Sequence, residues 1–142
     1  MNLFLDSSVL LAASGSSKGS SRALFDLAPS SGWKLVTSPY ALNEVVKNLP
    51  KFPTTATSAW VGLRRQLVIT DDVVSVNRPV IFAASKDRPI LFTALASATV
   101  LLTLDHEHFR DLLAGDFYGL RVRLPFEFLE EERAAGRLTQ AS

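Results

Sequence analysis

A chain of 142 residues is the length of one domain and too short for two comfortable ones. Its 47% hydrophobic and 20% charged residues support a generous core and exclude disordered, collagenous and coiled-coil chains. The sequence has no cysteine, two histidines (His106 and His108) and a net charge of +1. It therefore excludes disulfide frameworks, thiol catalysis, multi-histidine zinc centres and the strong field of a nucleic-acid coat protein.

The amino end, Met1-Asn2-Leu3-Phe4-Leu5-Asp6, has no early basic residue and meets an aspartate after three apolar positions, so a secretory signal is not expected. Leu3–Leu5 reads as a buried strand that stops at Asp6-Ser7-Ser8, a functional or capping turn. Val9–Ala13 can begin a helix, Ser14–Ser21 is a Gly/Ser-rich break, and Ser20 or Ser21 can cap a helix through Ala28. Lys34–Thr37 is a second strand. Ser38-Pro39 supplies an N-cap and a first helical residue for a helix to about Leu49, closed by Pro50 and Pro53. Thr57–Gln66 is a further helix carrying Trp60 and Leu63. Leu67–Val76 is rich in β-formers, and Pro79–Ala84 fits strand or helix equally.

Asp87-Arg88-Pro89 opens a helix to about Ser97, and Val100–Leu104 is a buried strand ending at Asp105. The uncharged run Pro89–Leu104 is thus a buried helix and strand, too short for a membrane span. His106–Leu113 is a helix and Leu120–Leu124 a strand. Pro125–Arg137 is an amphipathic helix with Phe126, Phe128 and Leu129 inward. One domain over residues 1–137 with a frayed tail at 138–142 is expected, in a soluble, cytoplasmic protein. Short strands alternating with helices imply an α/β fold, a doubly wound, mostly parallel sheet covered on both faces. Ligands of such sheets bind beyond the carboxyl ends of the strands, which points at Asp6 and Asp105.

Asp87 opens the helix that feeds the Asp105 strand, and Glu44 lies one and a half turns into the helix after Pro39, so four acids can meet at one sheet edge. Convergence without cations is costly, and an all-oxygen donor set favours Mg²⁺ or Mn²⁺ over zinc. Taken singly, Asp87 and Asp105 read more readily as helix caps and Glu44 as a solvated helix residue. Asp6, at the end of a buried strand, has little evident structural use. The four together shift the balance toward a site.

Leu3-Phe4-Leu5-Asp6-Ser7-Ser8, Ser38-Pro39-Tyr40-Ala41-Leu42-Asn43-Glu44-Val45, Lys86–Ala96 and Leu101-Leu102-Thr103-Leu104-Asp105-His106-Glu107-His108-Phe109 resemble, in order, the successive motifs of PIN-domain ribonucleases. The resemblance includes an eighteen-residue step from Asp87 to Asp105 and a Thr-x-Asp ending of the fourth strand. It implies a sheet in the order 3-2-1-4-5 flanked by helices, with Asp6, Glu44, Asp87 and Asp105 as catalytic, metal-binding acids. Ser7 and Thr103 would be neighbouring hydroxyls. It further implies a Mg²⁺- or Mn²⁺-dependent endoribonuclease acting on RNA, often the toxin half of a VapBC-type pair with a small antitoxin, and often a homodimer. Ser7 and Ser8 stand where threonine or asparagine is common in the family, and residues 70–86 do not align with it.

Gly15-Ser16-Ser17-Lys18-Gly19 matches a G-x-S-x-G nucleophile elbow literally, but the chain is too small for that fold. It reads as a loop in which Lys18 and Arg22 can face phosphate near a helix N-terminus. Lys86 and Arg88 can hold an RNA backbone, and His108 can touch substrate or lie on the surface. Arg64-Arg65 is a small basic pair, and Glu130–Arg133 reads as an exposed helix face. A catalytically idle PIN-like module binding RNA or protein, and a small phosphatase using Asp6 as nucleophile, are the competing functions.

Overall fold

The structure is a computed structural model that describes residues 1–73, 88–110, 112–113 and 115–138. β1 (Asn2–Leu5) is apolar on both sides, as a strand covered on both faces must be. It pairs in parallel with β2 (Lys34–Thr37) on one side and β4 (Val100–Leu102) on the other. β3 (Leu67–Ile69) extends the sheet beyond β2, and β6 (Leu120–Arg123) beyond β4, both in parallel. A two-residue strand, β5 (Asp116–Phe117), pairs antiparallel with β6, so the order is β3-β2-β1-β4-β6-β5. The expected 3-2-1-4-5 arrangement holds for the parallel strands, and the β5–β6 hairpin adds an edge that the sequence did not announce. Its turn places Tyr118 at φ 52° and Gly119 at φ 85°. Both central residues of such a turn need positive φ, and Tyr-Gly is a far weaker signal than Asn-Gly.

Helices cover both faces. α1 (Ser7–Gly15), α2 (Ser20–Ser31) and α4 (Thr54–Arg64) pack with α7 (Pro125–Ala134) over Leu3, Leu5, Val100 and Leu102. α5 (Arg88–Ser97) and the short α6 (His106–Phe109) cover Phe4, Val36, Leu101 and Val122 on the other face. α3 (Pro39–Asn48) follows β2 directly, begun by Pro39 and by Ser38 Oγ accepting from the Ala41 amide at 3.4 Å. A 3₁₀ turn at Leu49–Lys51 closes it.

Several boundaries move. α1 runs on through Ser14 and Gly15, with Ser14 buried and its hydroxyl donating to the Leu10 carbonyl at 3.0 Å. Gly15 therefore ends a helix, and no strand-to-helix elbow exists at Ser17. Gly19, not Ser20 or Ser21, precedes α2, which passes through Pro29 and stops at Gly32, φ 71°. A proline in the last turn forfeits a single helical bond, so glycine rather than proline sets the end. β3 stops at Ile69; the Thr70 amide still donates to the Thr37 carbonyl, and beyond it the chain leaves the sheet, where Asp72 accepts from the Tyr40 amide and Val73 donates to Thr93 Oγ1. Pro79–Ala84 lies outside the described residues. β4 ends at Leu102, α6 stops at Phe109 rather than Leu113, and Phe126 is 62% exposed while Phe128 and Leu129 are buried.

The Glu130–Arg133 face also differs from expectation. Glu132 is fully buried and accepts from the Arg121 and Arg137 guanidinium groups, while Arg123 donates to Glu131 and to the Gly115 carbonyl. These pairs fasten α7 to β6, and Arg121 also lies 5.6 Å from the centre of the Phe128 ring. The guanidinium groups hold the Glu132 carboxyl below the usual carboxylate range, the Arg137 hydrogen bond contributing most. Among the described residues, no helix is long and apolar enough to cross a membrane.

Candidate active site

The register Leu5↔Leu102 brings the residues that follow the two strands, Asp6 and Thr103, side by side at the carboxyl edge of the sheet. The Asp6 amide donates to the Leu102 carbonyl at 3.0 Å, which fixes the chain where β1 turns into α1. Asp6 is only 5% exposed and is the N-cap of α1, so it has a structural use after all. Its Oδ1 accepts from the Ser7 amide at 2.8 Å. Its Oδ2 accepts from Thr103 Oγ1 at 2.7 Å and from Ser8 Oγ at 3.0 Å.

Each of those hydroxyls accepts in turn. Ser8 Oγ takes the Leu104 amide and Thr103 Oγ1 takes the Asp105 amide, both at 3.0 Å. The two side chains thus tie Asp6 to the backbone that carries Asp105. Burial pushes the Asp6 carboxyl above its ordinary range, against the pull of the Thr103, Ser8 and Ser7 hydrogen bonds, and the Asp105 charge adds to the rise. None of the hydrogen-bonding partners described for Asp6 is a cation.

Glu44 reaches the same place from α3. A cleft of about 370 Å³ is lined by Asp6, Glu44 and Asp105, with Ser7 and Ser8 on its wall. Tyr40 and Lys47 line it from α3 as well, and Leu11 and Ile90 give it apolar sides. Three of the four acids expected at one edge therefore share one cleft. Asp87 and Lys86 lie outside the described residues, as do the side chains of Arg88 and His108. Among the described residues, no three His, Asp or Glu side chains are already arranged to hold a metal ion. The donor chemistry nevertheless suits a hard divalent cation, because the charged donors lining the cleft are carboxylates and the sequence lacks thiols altogether.

Lys18 and Arg22 stand elsewhere. α1 is nine residues long, about 13 Å at 1.5 Å per residue, and these two residues lie beyond its far end from Asp6. Lys18 is exposed in the connecting turn, while Arg22 Nε donates to the Ala13 carbonyl at 2.7 Å and ties α2 to α1. Neither lines the cleft. Tyr40 and Lys47 were missed in the sequence, although their spacing from Glu44 (i, i+4, i+7) was a usable signal for one helix face.

Sheet order and helical layers give the chain a PIN-like α/β fold. Among solved structures the chain is similar to VapBC2 from Rickettsia felis, bound to a DNA fragment from their promoter. The TM-score is 0.60 at 17% identity, covering 86% of this chain and 97% of that one. VapC20 from Mycobacterium tuberculosis, a Sarcin-Ricin loop cleaving toxin, matches with a TM-score of 0.49 at 15% identity over 84% of this chain and 98% of that one. No protein-family model matches the sequence, and neither does any curated protein.

Proposed function

We propose that the protein is a metal-dependent endoribonuclease that hydrolyses RNA phosphodiester bonds, the toxin half of a VapBC-type pair. It would act in the cytoplasm as a homodimer until bound by a small antitoxin. The observation that carries this reading is the delivery of Asp6, Glu44 and Asp105 from three separate elements into one cleft at the carboxyl edge of the sheet. Carboxylates gathered in one cleft repel one another, and an external cation would offset that repulsion. Likeness in fold to VapBC2 bound to promoter DNA supports the reading of an antitoxin partner.

Asp6, Glu44 and Asp105, with Asp87, would hold Mg²⁺ or Mn²⁺. When bound, such an ion supplies charge neutralisation at the phosphate and acidification of water. The chain supplies the rest. Ser7, Ser8 and Thr103 fix both oxygens of Asp6, so the carboxylate is oriented before any ligand arrives. The Ser8 and Thr103 hydroxyls also accept from the Leu104 and Asp105 amides, which ties the Asp105 backbone to Asp6. Glu44, partly exposed on α3, can meet water in the cleft and accept its proton. A phosphatase with Asp6 as nucleophile is disfavoured, because Asp6 is nearly buried and its Oδ2 already receives two hydroxyl hydrogen bonds.

Purified protein is expected to cleave single-stranded RNA in Mn²⁺. Glu44→Gln and Asp105→Asn are each expected to lose about 100-fold or more in rate, the scale of a lost general base or charge-stabilising group. Cleavage unchanged in both variants, or no cleavage of any RNA by the parent protein, would contradict the proposal.

A further inference from the structure

Resting on the nuclease reading, we propose that Lys47 is the cleft's phosphate-recognition residue, engaging the RNA backbone beside the carboxylates. A phosphodiester entering this cleft meets three acids, Asp6, Glu44 and Asp105, and any affinity for the substrate strand must overcome them. Among the described residues Lys47 is the cation on the cleft wall. It is exposed, and no described hydrogen bond or ion pair occupies its ammonium group, Glu44 included. The other cations that the sequence offered for substrate are elsewhere or outside the described residues, with Arg22 held by the Ala13 carbonyl.

The helix fixes the geometry. At 100° per residue, Tyr40, Glu44 and Lys47 fall within about 60° of arc on α3. Ala41 and Val45, turned about a quarter to a third of a circle away, are fully buried in the core. Lys47 stands one turn beyond Glu44, a rise of about 4.5 Å along the axis. A strand whose reacting phosphate sits at Glu44 therefore passes Lys47 with a neighbouring phosphate. A lysine is suited to this task, since a flexible point charge grips phosphate without reading sequence.

Lys47 also occupies the last turn of α3, where a positive charge favours the helix dipole, so the test must separate the two roles. Binding of a fluorescent single-stranded RNA of mixed sequence, about 12 nucleotides long, is measured against salt in Ca²⁺ buffer for the full chain. Lys47→Gln is expected to flatten the slope of log affinity against log salt by about 0.7, the value of one phosphate contact on a single strand. Between about 50 and 200 mM salt its affinity should fall about 2.5-fold less than the parent's, with the same change for every oligonucleotide sequence. Lys47→Arg should keep the parent slope. An unchanged slope in Lys47→Gln overturns the proposal. So does weakened binding that Lys47→Arg fails to restore and that comes with a fall in Tm of more than about 5 °C, which marks a helix-stability role. Failure of the parent protein to bind the RNA overturns it as well. A Lys47-dependent slope in a protein that cleaves no RNA in Mn²⁺ sustains Lys47 and rejects the nuclease reading.

Discussion

Among the described residues two acids are almost entirely removed from water, Asp6 at the carboxyl edge of the sheet and Glu132 under α7. Their surroundings are opposite. Glu132 receives the guanidinium groups of Arg121 and Arg137, which hold its carboxyl below the ordinary range. Asp6 receives a backbone amide and two hydroxyls, shares its cleft with Glu44 and Asp105, and is pushed up by burial. Where the chain encloses an acid with its own cations, the acid holds elements together. Where it encloses one among other acids, charge is left for something outside the chain to neutralise.

The contrast can be broken by neutral substitutions. Glu132→Gln should have the largest effect on the fold, about 2 kcal/mol, because charge-assisted hydrogen bonds to two arginines weaken in a buried position. For a domain of this size that is a fall in Tm of about 6 °C. Asp6→Asn should leave the metal-free protein within about 0.5 kcal/mol of the parent, or slightly more stable, since it removes a buried charge while the hydroxyls can turn to accept. Equal destabilisation by both substitutions in thermal melts would erase the distinction between the two sites.

A smaller, sharper difference is expected in acid. The folded Glu132 pKa lies below its unfolded value near 4.3, so its stabilisation is present at neutral pH and fades as pH falls through the folded value. Asp6 has the opposite sign. Its folded pKa lies above the unfolded value near 3.9, so its contribution is present below that pH and is lost as pH rises through the folded value. Denaturant melts between about pH 3 and 7 should therefore show a shallower acid loss in Glu132→Gln and a steeper one in Asp6→Asn than in the parent. The reverse order of slopes would refute the assignment of signs.

How much of this was legible in the sequence differs between the same two regions. The end of β1 at Asp6 and the Ser38-Pro39 helix start were readable, because strand runs, caps and prolines act locally, whereas β4 stops at Leu102, two residues short of the expected end. These local signals were enough to bring Asp6, Glu44 and Asp105 to one edge. The role of Asp6 as N-cap was legible only as one of two alternatives for the Asp6-Ser7-Ser8 turn, since it depends on α1 starting at Ser7 with no intervening turn. Glu132 was read as solvated because its partners are distant or ambiguous in sequence. Arg121 is eleven residues away on another element, and Arg137 lies past the end of α7. The β5–β6 hairpin escaped for want of an Asn-Gly turn, its positive φ carried by Tyr118. Lys47 escaped for a different reason, because a lysine in a last helical turn already has a sufficient explanation in the helix dipole.

The proposal that Asp6, Glu44 and Asp105 share one cation is tested most directly by Mn²⁺ titration monitored through Tm, for the parent protein beside Asp6→Asn and Asp105→Asn. A ligand that binds only the folded state at about 100 times its Kd adds about 2.7 kcal/mol, so millimolar Mn²⁺ should raise the parent Tm by several degrees. Both variants should lose most of that rise while folding normally without metal. Equal Mn²⁺ shifts in all three proteins, or none in the parent, would contradict a common metal site.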